Sequence, residues 1–125
     1  MIDFNNASVF KLKKTEVSKF DSEMRDILLE DETIVGCYQD IRDHVVFTNK
    51  RIIAVNVQGI TGKKKDFTTL PYSKITAYSI ETAGTFDLDS ELDLFLSGMG
   101  KVRFEFRGSS DILEIGRIIA KYALR

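Results

Sequence analysis

The spacing of apolar and polar residues changes several times along the chain, and each change predicts an element. Val17, Phe20, Met24, Ile27 and Leu28 recur at helical spacing, with Lys19, Asp21, Glu23 and Asp26 between them. This predicts a helix over 16–29, with Thr15 as N-cap and Glu16 in the first turn, where the helix dipole favours an anion. After the charged break Glu30-Asp31-Glu32 β-type residues follow, and Thr33-Ile-Val-Gly-Cys-Tyr38 reads as a strand.

The clearest β pattern is His44-Val-Val-Phe-Thr-Asn-Lys-Arg-Ile-Ile-Ala-Val-Asn-Val57. Two β-rich runs flank Asn49-Lys50, and Asn is suited to a tight hairpin turn because it tolerates positive φ. In the second run Ile53, Val55 and Val57 alternate with Ile52, Ala54 and Asn56, which predicts one apolar face. Lys50 and Arg51 are expected to be solvated turn residues.

Four further strands follow. Phe67 to Leu70 forms a short one that stops at Pro71, where a ladder N–H is absent. Residues 74–82 alternate without revealing which face is buried. Leu92, Leu94 and Leu96 point one way, with Glu91, Asp93 and Phe95 the other. Val102, Phe104 and Phe106 alternate with Lys101, Arg103, Glu105 and Arg107 as a half-buried strand. The last element is an amphipathic helix, expected to start near Ser109 or Ser110 as N-cap with Asp111 in its first turn. Its stripe is Ile112, Ile115, Ile119 and Tyr122, and Gly116 within it suggests close packing of helix on sheet. Short successive strands joined by tight loops favour antiparallel pairing over a βαβ array. The predicted fold is mainly β: a seven-stranded antiparallel barrel, or pair of orthogonal sheets, plugged by the C-terminal helix and carrying an extra N-terminal helix.

Composition narrows the class. At 125 residues, 43% hydrophobic and 30% charged, the chain suits one globular domain. Its expected parts are an arm over 1–14, a helix over 15–30, a barrel over 31–107 and a capping helix over 109–124. Lys+Arg 18 against Asp+Glu 19 leaves a net charge of -1, which argues against non-specific nucleic-acid binding. A single Cys37 and a single His44 exclude an intramolecular disulfide and multi-Cys or His-rich metal sites. Cys37 is expected in or near the core. There is no signal-like apolar start and no membrane-length apolar run, so a cytoplasmic domain is expected.

Four blocks in order carry a family resemblance: Asp43-His-Val-Val-Phe-Thr-Asn-Lys-Arg-Ile-Ile53, Val57-Gln-Gly-Ile-Thr-Gly-Lys-Lys64, Leu70-Pro-Tyr-Ser-Lys-Ile75 and Glu81-Thr-Ala-Gly-Thr-Phe-Asp-Leu-Asp-Ser-Glu-Leu92. From about Thr15 onward the chain resembles the bacterial pleckstrin-homology (PH) domain family. The resemblance implies a PH-like barrel with an added N-terminal helix, a tendency to form homo-oligomeric rings, and no established enzymatic activity or cofactor.

Several chemistries can be weighed on the residues. Phosphoinositide sites of eukaryotic PH domains use Lys and Arg around the first inter-strand loop, because several phosphates need several charge-assisted bonds. Here that loop, Asp40-Ile-Arg-Asp43, is half acidic, and Val45-Val-Phe-Thr48 supplies no cation. Lys63, Lys64 and Lys65 are the compact alternative for an anion or lipid headgroup, against a simpler reading as a solvated loop. Asp87-Leu-Asp-Ser-Glu-Leu-Asp93 lacks an EF-hand pattern, since Leu92 and Gly98 stand where the motif needs Gly and Glu. No metal site is expected there. His44 beside Asp43 does not make a triad, because strand neighbours point to opposite faces; no nucleophile elbow, P-loop or dinucleotide fingerprint is present. Phe4 and Phe10 in the arm, and Phe95 opposite the leucines, are candidate oligomer-interface residues. The expected function is a non-catalytic interaction or scaffold domain working as a homo-oligomer. The alternative is a peripheral binder of anionic lipid through Lys63–Lys65 and the Lys11 to Lys14 arm.

Overall fold

The computed structural model describes residues 1–4, 9–108 and 111–124. In chain order its elements are β1 (Val9–Thr15), the one-turn helix α1 (Asp21–Met24), β2 (Ile34–Gln39), β3 (His44–Thr48), β4 (Arg51–Gln58) and β5 (Lys64–Pro71). A 3-10 turn (Tyr72–Lys74) leads to β6 (Ile75–Glu81), β7 (Ser90–Leu96), β8 (Gly100–Phe106) and the closing helix α2 (Ile112–Ala123). The strands form one sheet ordered β5-β4-β3-β2-β1-β8-β7-β6.

The seven strands expected over 31–107 are β2 to β8, and the arm supplies an eighth. β1 lies at the centre of the sheet. Its Lys13–Thr15 end pairs antiparallel with β2, and its Val9 to Leu12 half pairs parallel with β8. It therefore joins what would otherwise be separate four- and three-stranded halves. Inner-face residues from both halves meet in one core that includes Leu12, Phe47, Ile52, Leu94 and Phe104. Convergence of both halves on one cluster means that the sheet curls. Tyr38 sits at the middle, with its ring edge-on to Phe47 and Phe106.

The helix α2 closes this core with Ile112, Ile115 and Ile119. Its N-cap is Asp111, whose carboxylate accepts from Leu113 N and Glu114 N. The start expected at Ser109 or Ser110 lies outside the described residues. Gly116 faces β6, where a Cβ would come within 3.1 Å of Ile80 Cδ1, so helix and sheet are in close contact there. The undecided face of β6 is now assigned: Tyr78 and Ile80 oppose buried Leu94 and Leu92 and pack on the core.

The helix expected over 16–29 is not continuous. Only Asp21–Met24 is α-helical, and Thr15, expected as an N-cap, is the last residue of β1, opposite Cys37. The flanking turns mix three-residue bonds, such as Lys19 N to Glu16 O and Ile27 N to Met24 O, with four-residue bonds such as Leu28 N to Met24 O. Side chains of the sheet and of the loop before β2 take backbone groups a helix would use. Ile27 O accepts from Arg51 Nη2 at 2.9 Å, Val17 O accepts from Cys37 Sγ, and Leu29 N donates to Glu32 Oε1. The apolar spacing still serves its purpose, because Phe20, Met24, Ile27 and Leu28 cover a second cluster of Cys37, Val46, Ile53 and Val55 on the outer face. This layer explains why β3 is buried at all five positions and why β4 has two buried faces, not the single apolar face its alternation predicts. No helix among the described residues is long and apolar enough to cross a membrane.

Candidate functional site

The turn between β3 and β4 is a structural tie. Glu32 is buried, and Arg51 grips it with two bonds, Nε to Oε2 at 2.9 Å and Nη2 to Oε1 at 3.0 Å. The remaining guanidinium donors reach Ile27 O and Thr69 Oγ1. Thr48 Oγ1 donates to Glu32 Oε2 at 2.6 Å and accepts from Lys50 N and Arg51 N. Asn49 bonds Thr33 N and Asp31 O, and Lys50 pairs with Asp31. Burial acts to raise the Glu32 pKa, but the bonds from Arg51, Thr48 and Leu29 N outweigh it and hold the carboxyl below its ordinary value of 4.5. Lys50 and Arg51 are thus not free turn residues. Every polar side chain of Thr48-Asn-Lys-Arg51 is used to fasten residues 27–33 to the hairpin.

A second tie involves the single histidine. His44 is buried, its ring stacks on Phe20 at 3.8 Å, and Nε2 meets Glu23. Glu23 also receives Lys65. Burial opposes ionisation of Glu23, but these two partners prevail and lower its pKa. Asp43 does not orient His44; it accepts from Val57 N at 2.9 Å and faces Asn56. Phe20 covers one face of the His44 ring and Glu23 is bound at Nε2, so that nitrogen is already engaged. The Cys37 thiol is no better a nucleophile, since burial, helped by Asp21, pushes its pKa up to about 11.

Of the three lysines of the candidate anion site, one already has a partner. Lys63, Lys64 and Lys65 are exposed, but Lys65 is held by Glu23 and is not free for a ligand. Around the β2–β3 loop run open clefts. One, about 540 Å³, has Asp3, Asp40, Asp43 and Asn56 on its walls, with Lys11 and the Met1 ammonium, the latter paired with Asp66, as cations. Asn56 Oδ1 is buried there without a hydrogen-bond partner among the described residues. Acidic walls do not suit a phosphate. In the Asp87–Asp93 run, Asp93 is engaged by Arg103 through bonds of 2.8 and 3.1 Å, which hold its pKa down.

The candidate interface residues separate. Phe10 is buried against Phe104, ring centroids 5.5 Å apart, so it belongs to the core and is not available to a partner. Aromatic residues in an arm suggest an interface only while the arm is assumed to stand free, and β1 does not. Phe4 is partly buried against the same core. Phe95 remains 41% exposed on the outer face, beneath Lys101. Reading along the sequence missed Glu23 and Glu32 as partners of His44 and Arg51. Their only trace was an acidic residue between the apolar positions of an expected amphipathic helix, for Glu23, and in a charged break, for Glu32.

Comparison with known proteins agrees with this architecture. The family model described as "Bacterial PH domain" matches residues 3–123. The uncharacterized protein YjqA of Bacillus subtilis (strain 168) is 45% identical over 100 residues, covering 78% of this chain and 80% of that protein. A DUF1696 family protein with a pleckstrin-homology domain from Shewanella loihica PV-4 superposes with a TM-score of 0.81 at 37% identity, over 92% of this chain and 99% of that one. A pleckstrin homology domain from Shewanella amazonensis SB2B gives 0.69 at 39% identity, over 89% and 90% of the two chains. With its curled sheet, its closing helix and a family match along nearly its whole length, the chain belongs to the bacterial PH domain family.

Proposed function

We propose that this PH domain is a non-catalytic, cytoplasmic interaction module that works as a homo-oligomer. The observation that carries the reading is the outer edge of β6. The sheet ends at β5 on one side and β6 on the other. Natural proteins guard such edges with Lys, Pro and bulges, because unpaired N–H and C=O groups recruit further strands. β5 has Lys64 and Lys65 at its start and Pro71 at its end. β6, Ile-Thr-Ala-Tyr-Ser-Ile-Glu, has neither residue, and its one register irregularity lies at its first residues. Exposed Phe95 lies beside it, opposite Ala77. The shielding of His44 and the raised thiol pKa of Cys37 support the absence of catalysis. Light scattering on a gel-filtration column tests the assembly: a mass that is a multiple of 14.2 kDa is expected, and a monomer at micromolar concentration overturns it.

One observation favours a second reading, docking on anionic membranes. Ile41 and Ile60, 97% and 106% exposed, stand on neighbouring loops that Arg42 joins by donating to Gly59 O. Exposed Lys63 and Lys64 follow Ile60 where the β4–β5 turn enters β5. Apolar tips beside cations suit a negatively charged bilayer. Co-sedimentation with phosphatidylserine vesicles at low salt is expected on this reading, with loss on changing both isoleucines to Ser; no pelleting removes it.

A further inference from the structure

We infer that the open mouth of the curled sheet binds an organic cation, an ammonium or guanidinium group carried on an aliphatic stem. The sheet has two ends. α2 covers one, where Tyr122 stacks on Tyr72, next to Pro71, the partner of Arg51 at the start of β4. At the other end β4 finishes in Asn56-Val-Gln58, and there the cleft of about 540 Å³ opens. Small ligands favour the mouths of curled sheets, where apolar walls meet a few convergent polar groups. Ile2 and Phe10, both buried in the core, supply the apolar walls, and Asp3, Asp40 and Asp43 supply the charge. This binding is separate from the self-association proposed above and does not rest on it.

Acidic residues alone would be an ordinary solvated rim, and the independent sign of a ligand is Asn56. Ile52 and Ala54 of β4 belong to the core, and Asn56 continues the same face into the mouth. Its Nδ2 donates to Asp43 Oδ2 at 3.4 Å, but its Oδ1 is buried with no hydrogen-bond partner among the described residues. A buried acceptor left unmet is costly, and a donor relieves that cost. With carboxylates around it, the donor that suits is a charged one. The protein's own nearby cations do not fill the place. The Met1 ammonium is held by Asp66 at 2.9 Å, and Lys11 alternates with buried Phe10 and Leu12, which turns its side chain to the outer face. Among the described residues no three acidic, His or Cys side chains are grouped to hold a metal ion. Apolar walls below an acidic rim instead match a cationic head on an apolar stem. A lysine or arginine side chain of a partner protein and a free polyamine share that chemistry.

Titration of the full chain, followed by amide NMR shifts, tests the site with two probes, cadaverine and acetyl-Gly-Lys-Gly-amide. Saturable shifts centred on Asp40, Asn56 and Gln58 are expected, and none with pentanol, which has the stem without the charge. Tighter binding of the peptide assigns the site to a protein partner, and tighter binding of cadaverine to a free polyamine. Gln58→Glu adds a carboxylate on the face of Asn56 and is expected to tighten binding about fivefold, the effect of one charge at about 4 Å in water. Asp40→Asn, in an exposed loop, is expected to weaken binding by a similar factor, with circular dichroism unchanged in both variants. No saturable shift with either probe overturns the proposal. So do affinities that neither variant changes, or an equal response to pentanol.

Discussion

Replacing Arg51 by Met removes the guanidinium that holds Glu32 while keeping a side chain of similar length. Four hydrogen bonds go: two to Glu32, one to Ile27 O and one to Thr69 Oγ1. The Glu32 side chain is 0% exposed, so its carboxylate is left buried with only Thr48 and Leu29 N as donors. Breaking a buried pair by removing one partner costs about 3–5 kcal/mol. The Arg51 side chain is itself 20% exposed, so water reaches part of the site and the lower end, about 3 kcal/mol, is expected. Against a domain stability of about 5–15 kcal/mol this is a large fraction. Urea unfolding at pH 7 reads it as a lower midpoint with unchanged slope. The pH dependence gives a second measurement. In the wild type the Glu32 pKa lies below 4.5, so its contribution is present above that value and is lost as pH falls through the folded pKa. In the variant, burial without Arg51 raises the pKa, so the penalty is full at pH 7 and fades as pH falls. The two stability curves must therefore converge toward acid. A loss below about 1 kcal/mol, the size of an exposed ion pair, or curves that run parallel with pH, would refute the reasoning.

Two further substitutions test the backbone. Gly100 has φ 129°, and a Cβ there would lie 2.8 Å from Phe4 O, so Gly100→Ala should cost well over 1 kcal/mol by the same urea assay; a neutral result would show that the N-terminal segment does not sit against β8. Asp111→Ala removes both cap bonds of α2 and should cost about 1 kcal/mol, recovered in good part by Asp111→Ser; equal loss in both variants would contradict capping.

Much of the strand layout is legible in the sequence because a period of two is a local property. The seven strands from β2 to β8 follow from β-type runs, alternation and turn residues, the inward leucines of β7 from alternation, and the apolar stripe of α2 from helical spacing. The candidate sites were less legible. A lysine run says nothing about which lysine already has a partner, and Lys65 is held by Glu23, 42 positions away. Phe10 looked available only while its segment had no known place in the sheet.

By itself the sequence determined the mainly β class, the strand spacing, the amphipathic closing helix and the family resemblance, since each depends on residues close together in the chain. Tertiary structure alone decided the rest. It inserted β1 between β2 and β8, a choice that depends on ladder bonds across about 90 residues. It also broke the expected N-terminal helix: apolar spacing fixes which side chains turn inward, but only contact with the sheet shows that Arg51 and Cys37 take backbone carbonyls a longer helix would bond internally.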